Sequence, residues 1–341
     1  MNYKIKEGNY EKQGVQQLGK WTIFTFEGEK EDDCSVVLLN NEKEVVEKIE
    51  VPKEYCMGSL RSVAVENLKT DELLYMFEVN GKRVLDPYAH RIVGREVWND
   101  EKRMPDAVYG AFVPSGFAWG DDRSPEIDRS QMIMYKLHVR GFSMDAKAST
   151  TNGTFQAVSA RIPYLQGIGV TTVELMPVYE FEERIFPEEK VLPDYIQWEA
   201  EDADMIVPPE ETKVLPKLNF WGYTKGNYFA VKSSYARNAA KASMEYKALI
   251  RKLHQHGMEC VMEFFFPEGT DQNLILAALR FWVMEYHVDG FHLLGENLPM
   301  TAIAQDKRLS RTKIFYTDFG EMGDTARKYR NLYVYKDEYQ Y

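Results

Sequence analysis

Cys260-Val261-Met262-Glu263-Phe264-Phe265-Phe266 is an apolar run broken by a single acid. Residues 273–287 follow with helical spacing, Leu276, Leu279, Val283 and Tyr286 falling on one stripe. Val288-Asp289-Gly290-Phe291-His292-Leu293-Leu294 comes next. A short continuous apolar run reads as a strand buried on both faces. Strand, helix, strand in that order makes the two strands parallel, with the helix packed outside.

The same grammar extends both ways. Met132 to Val139, Thr171 to Val178 and Lys313 to Thr317 read as further strands. Thr154 to Gln166 carries helical spacing (Phe155, Val158, Ile162, Leu165) with Gly167 as its stop, and 242–256 is an amphipathic helix closed by Gly257. Five strands are expected from residue 130 onward. Residues 181–218 interrupt them, acidic and rich in proline, and read as a long surface insertion.

Before about residue 120 the pattern is all-β. Trp21 to Phe26, Cys34 to Leu39, Val45 to Ile49 and Leu74 to Val79 are short β-rich runs. Asn80-Gly81 after the last is a strong hairpin signal. A β-sandwich over residues 1–122, then an α/β region over 123–341, is the expected organisation.

Composition narrows the partners. Apolar residues make up 44%, enough for real cores, and the formal charge is -11. An acidic chain with no basic stripe is a poor match for nucleic acid or an anionic membrane, so neither is expected, and a neutral substrate fits better. No segment reaches the ~18 apolar residues of a membrane span. Cys34, Cys56 and Cys260 are widely spaced and form no metal-ligand pattern. Reduced thiols in the cytoplasm, no leader at the N-terminus and no cofactor or metal are the expectations.

Several motifs then carry a resemblance. Tyr135-Lys136-Leu137-His138-Val139-Arg140-Gly141-Phe142, Val173 to Val178, Asn219-Phe220-Trp221-Gly222-Tyr223 with Asn227 to Ala230, Gly257 to Phe266, and Asp289-Gly290-Phe291 occur in order. Together they resemble the barrel of pullulanase- and isoamylase-type debranching enzymes of the α-amylase superfamily (glycoside hydrolase family 13). The resemblance implies an immunoglobulin-like module followed by a (β/α)8 barrel with its site at the C-terminal strand ends. It implies an α-glucan or maltooligosaccharide partner. It also implies a retaining mechanism, with a nucleophilic carboxylate and a carboxylic acid ~5 Å apart.

The catalytic positions depart from that pattern. Where the family reads Gly-Phe-Arg-Phe-Asp, this chain reads Gly290-Phe291-His292-Leu293-Leu294, so Leu294 stands at the nucleophile and His292 at the orienting Arg. Glu263 lengthens an Asp on the third strand, and Pro267 and Glu268 replace its Asn and His. Thr317 aligns with the general acid, and Asp318, one residue on, is the substitute if the register shifts. Only 24 residues follow Thr317, so the barrel is expected to be incomplete, with an open edge that a homo-oligomer or the tail around Tyr333 and Tyr335 would cover.

Tyr223, Trp221, His138, Glu174 and Glu263 are the candidate substrate contacts. For His138 the plainer reading is a hydrogen-bonded barrel histidine. Trp21, Trp98 and Trp119 are candidate aromatic surface on or beside the module. Three readings stand open: a glucan-binding protein without catalysis, a glycoside hydrolase using a displaced carboxylate, and a remnant that needs a partner.

Overall fold

The computed structural model describes residues 3–103, 107–113, 116–144, 151–185, 216–317, 319 and 329–335. Two antiparallel sheets form the N-terminal region. One runs Ile5–Glu7, Leu60–Glu66, Trp21–Glu27, Gly14–Leu18, with Cys56–Met57 beside Leu60–Glu66. The other runs Ile92–Val93, Tyr109–Ala111, Leu74–Val79, Cys34–Leu39, Val45–Val51, with Lys82–Val84 beside Leu74–Val79. Phe24, Phe26, Val63 and Val65 of the first meet Val36, Leu38, Tyr75 and Phe77 of the second in one core. Phe26 stacks on Phe77 at 4.2 Å between ring centroids. Asn80 (φ 50°) and Gly81 (φ 78°) form the two-residue turn joining Leu74–Val79 to Lys82–Val84. Both lie in the left-handed region, which the right-handed twist of a hairpin demands.

Six strands then form one parallel sheet: β1 (Met134–Leu137), β2 (Thr172–Leu175), β3 (Glu259–Phe266), β4 (Gly290–Gly295), β5 (Lys313–Tyr316) and β6 (Leu332–Val334). Their spatial order is their chain order. The sixth corrects the expectation of five: Ile314, Phe315 and Tyr316 pair with Leu332, Tyr333 and Val334. Three residues are too short to show a period, so the sequence offered no pattern there. Among the described residues, β1 and β6 have no partner on their outer sides.

Helices α1 (Ala242–Gln255) and α2 (Gln272–Tyr286) cover the sheet. The Asp271 side chain accepts from Leu274 N at 2.8 Å and starts α2. His287, at φ 55°, ends it. The stretch from Thr154 is two short helices, Phe155–Ala160 and Ile162–Gly167, rather than the single helix expected. Pro163 explains the break, because it lacks an N–H and its ring crowds the carbonyl four residues back.

The described ends of the 181–218 insertion are paired strands, which the loop reading missed. Tyr179–Phe181 pairs with Gly226–Val231, and Arg184–Ile185 with Lys217–Leu218. The prolines singled out at 187, 193, 208 and 209 lie outside the described residues.

The stretch after the sandwich packs on the parallel sheet's side of the molecule. Trp98 stacks on Tyr235 at 5.6 Å and meets Phe220 at 5.9 Å. It is therefore a half-buried junction residue. Trp119 is likewise stacked, on His287 at 3.8 Å. Tyr88 packs on Phe229 at 4.9 Å, and Ala230 joins the sandwich core.

Candidate functional site

Four neighbouring strands each send one charged side chain to the same interior face. Lys136 on β1 is in register with Glu174 on β2, and Glu263 on β3 with His292 on β4. Glu174 pairs with Val261, two residues before Glu263, so the period-2 pleat aligns all four. Glu174 and Glu263 are fully buried and His292 is 2% exposed.

His292 Nδ1 lies 2.7 Å from Glu174 Oε1 and 3.2 Å from Glu263 Oε1. The Lys136 ammonium contacts Glu263 Oε1 and lies 3.9 Å from Glu174 Oε1. The Tyr223 hydroxyl donates to Glu263 Oε2 at 3.0 Å. Two carboxylates thus face two cations. Burial opposes the charge on His292, but the two carboxylates outweigh it and raise its pKa to about 9. Burial pushes Glu174 up. For Glu263 burial acts the same way, yet the close cations His292 and Lys136 win and hold it below the ordinary range.

One pleat further toward the C-terminal strand ends the lining turns apolar. Phe265 and Leu294 are in register and half-buried. The Tyr223 ring lies 6.1 Å from that of Phe265. Tyr223 is 37% exposed and Trp221 53% exposed. The site therefore has two layers, an internally neutralised ionic one beneath and an aromatic and aliphatic one at the mouth.

The remaining candidates fall elsewhere. His138 uses both ring nitrogens within the protein: Nδ1 accepts from Gly141 N at 3.0 Å, and Nε2 faces Phe220 O and Tyr235 Oη, each at 2.9 Å. Burial lowers its pKa to about 4, so it is a neutral, structural imidazole. Its ring supports Trp221 edge-on at 5.9 Å. Thr317 is exposed just past β5, two residues beyond Phe315, which is in register with His292. Asp318 lies outside the described residues. Lys136 and Tyr335 were not among the expected site residues. Tyr335 stacks on His292 at 4.0 Å. The parity of Lys136 with His138 was the available signal for the first; the second was expected only as part of a tail covering the sheet edge, where residues 332–334 do pair with β5.

No protein-family model matches the chain. Isoamylase 3, chloroplastic, of Oryza sativa subsp. japonica is 27% identical over 354 residues, covering 80% of this chain and 43% of that protein. Pullulanase A of Streptococcus pneumoniae serotype 4 is 27% identical over 308 residues, covering 80% of this chain and 22% of its own length. The structure of the Paenibacillus barengoltzii pullulanase in complex with maltohexaose and alpha-cyclodextrin superposes with TM-score 0.70 over 97% of this chain and 58% of that one, at 19% identity. In sequence and in fold the chain is similar to isoamylase- and pullulanase-type debranching enzymes.

The likeness is a distant one. The chain spans under half the length of the curated relatives above. On β4 the motif positions hold His292, in the ionic layer, and Leu294, in the apolar one. Among the described residues no helix is long and apolar enough to cross a membrane.

Proposed function

We propose that this chain binds neutral α-glucan or maltooligosaccharide at the strand ends without hydrolysing it. The observation that carries the reading is the two-layered site. Tyr223, Phe265 and Leu294 offer a surface suited to the C–H faces of sugar rings. Beneath it, both carboxylates are engaged by His292. Retaining hydrolysis needs two carboxyl groups ~5 Å apart with the scissile bond between them. Glu174 and Glu263 are buried against a shared imidazole nitrogen, so no sugar fits between them. Leu294 can neither attack an anomeric carbon nor stabilise its positive charge.

On this reading the six parallel strands are an incomplete (β/α)8 barrel behind an immunoglobulin-like module. The free thiols suit a cytoplasmic setting. Stacking on a few rings contributes on the order of 1 kcal/mol per contact, so dissociation constants nearer millimolar than micromolar are expected.

Affinity electrophoresis in glycogen and amylopectin gels, with a reducing-sugar assay on the same protein, tests both halves. Retardation that Tyr223→Ala and Trp221→Ala relieve, with no turnover of pullulan, glycogen or starch, is the expected result. Leu294→Asp should remain inactive, because catalytic groups act as a unit and the orienting Arg and the acid are still lacking. Unchanged mobility of folded protein in both gels removes the binding half. Turnover abolished by Asp318→Asn would establish a displaced-carboxylate hydrolase instead.

A further inference from the structure

The ionic layer has a second chemical capacity, independent of glucan. We propose that Glu174, Glu263 and His292 form a binding site for a divalent transition-metal ion of the Zn2+ or Mn2+ class. One ligand atom from each lies within 4.8 Å of the others, and all three residues are buried. The donors sit on three consecutive strands whose ladder fixes their spacing. One imidazole and two carboxylates is a donor set that borderline divalent ions accept.

Buried polar atoms without partners point the same way. Glu174 Oε2 is buried with no hydrogen-bond partner among the described residues. Glu263 Oε1 sits against two cations but makes no well-aligned hydrogen bond. Such atoms are costly in a native interior and call for an explanation. Glu263 is also oriented as a ligand would be, with Tyr223 holding Oε2 and leaving Oε1 toward the centre. Outer hydrogen bonds of this kind fix metal-binding carboxylates.

Charge makes room for the ion. The two carboxylates match a dication, and in the metal-free protein their charge is met by Lys136 and the His292 proton. The Lys136 side chain is 36% exposed while both carboxylates are sealed, so its ammonium can move to water. On binding, the ion takes His292 Nδ1 and the two carboxylates, and the Nδ1 proton leaves to solvent.

Lys136 is then a competitor for the site, which separates this proposal from a merely structural ion pair. Isothermal titration of the full chain with ZnCl2 and MnCl2, without glucan, is the test. One equivalent is expected for the wild type, about tenfold tighter for Lys136→Met, and at least about tenfold weaker for His292→Gln. Tyr223→Phe, which leaves all three donors, should weaken binding by roughly tenfold. If neither the wild type nor Lys136→Met takes up an equivalent at ~0.1 mM free ion, the site does not exist. Uptake that His292→Gln and Tyr223→Phe both leave unchanged places the ion elsewhere and equally overturns it. Neither failure bears on glucan binding, which is read in the gels.

Discussion

Asp86 shows what one buried acid does to this protein. It is 1% exposed, with Tyr75 Oη donating to Oδ2 at 2.8 Å and Tyr88 N to Oδ1 at 2.9 Å. Desolvation outweighs both hydrogen bonds and raises its pKa to about 6. The folded state therefore holds this proton more tightly than the unfolded chain, whose carboxyl titrates near ~3.9. Its stabilising effect is full below that value and is lost as pH rises through about 6, on the order of 3 kcal/mol in all. Asp86→Asn has no charge to desolvate. Its urea-unfolding free energy should gain on the wild type between about pH 4 and pH 7; two curves that stay parallel over that window would contradict the assignment. At the same scale, Leu294 and His292 were readable because a motif frames them. Lys136 was not, because a lysine in a strand carries no mark of its partners until Glu263 and Glu174 are brought beside it. The same holds for Trp98 and Trp119, whose stacking on Tyr235 and His287 no local pattern announces.

Among the elements, the antiparallel pair Tyr179–Phe181 and Gly226–Val231 depends on a buried lysine just beyond its second strand. Lys232 Nζ donates to Glu180 Oε1 at 2.7 Å, Glu183 Oε2 at 2.8 Å and Phe181 O at 2.9 Å, with all three charged side chains fully buried. Lys232→Met leaves two buried carboxylates without their cation and should cost about 3–5 kcal/mol in urea denaturation. Adding Glu180→Gln and Glu183→Gln should recover much of that loss. A single mutant within about 1 kcal/mol of wild type would show the triad to be energetically idle. Long apolar strands such as β3 were legible from their run, and α2 from its spacing. Its buried face was misplaced by one position: Ile275, Ala278 and Trp282 point inward with Leu279 and Tyr286, because Trp282 is the bulkiest side chain and its Nε1 donates to Tyr228 O at 2.6 Å. The pairing of Arg184–Ile185 with Lys217–Leu218 joins residues far apart in the chain, and two-residue strands leave no periodic trace.

For the whole molecule, the junction decides how it comes apart. Trp98 is wedged among Tyr235, Phe220 and His138, Arg103 pairs with Glu182, and Arg95 Nη1 donates to Asn227 Oδ1 at 2.9 Å. Ala230, from a strand beside the parallel sheet, lies in the sandwich core. Shared packing of this kind couples regions that a weak linker would leave independent. Urea unfolding followed by tryptophan fluorescence and by circular dichroism should give coincident single transitions for the wild type. Trp98→Ala should shift the midpoint down and pull the two probes apart. Two separate transitions in the wild type would mean that the regions stand alone.

The strand order has a consequence for how the chain is made. Each of β2 to β6 pairs with the strand immediately before it. During synthesis, every new strand therefore meets a template already outside the ribosome, and no strand waits for one still to be translated. The nascent sheet always presents one growing edge, the most recently completed strand. Exposure of that edge lasts for the time needed to translate the next crossover, longest between β2 and β3, which Leu175 and Glu259 bound. At ~5–20 residues per second that gap is several seconds, making it the interval in which a chaperone has most to protect.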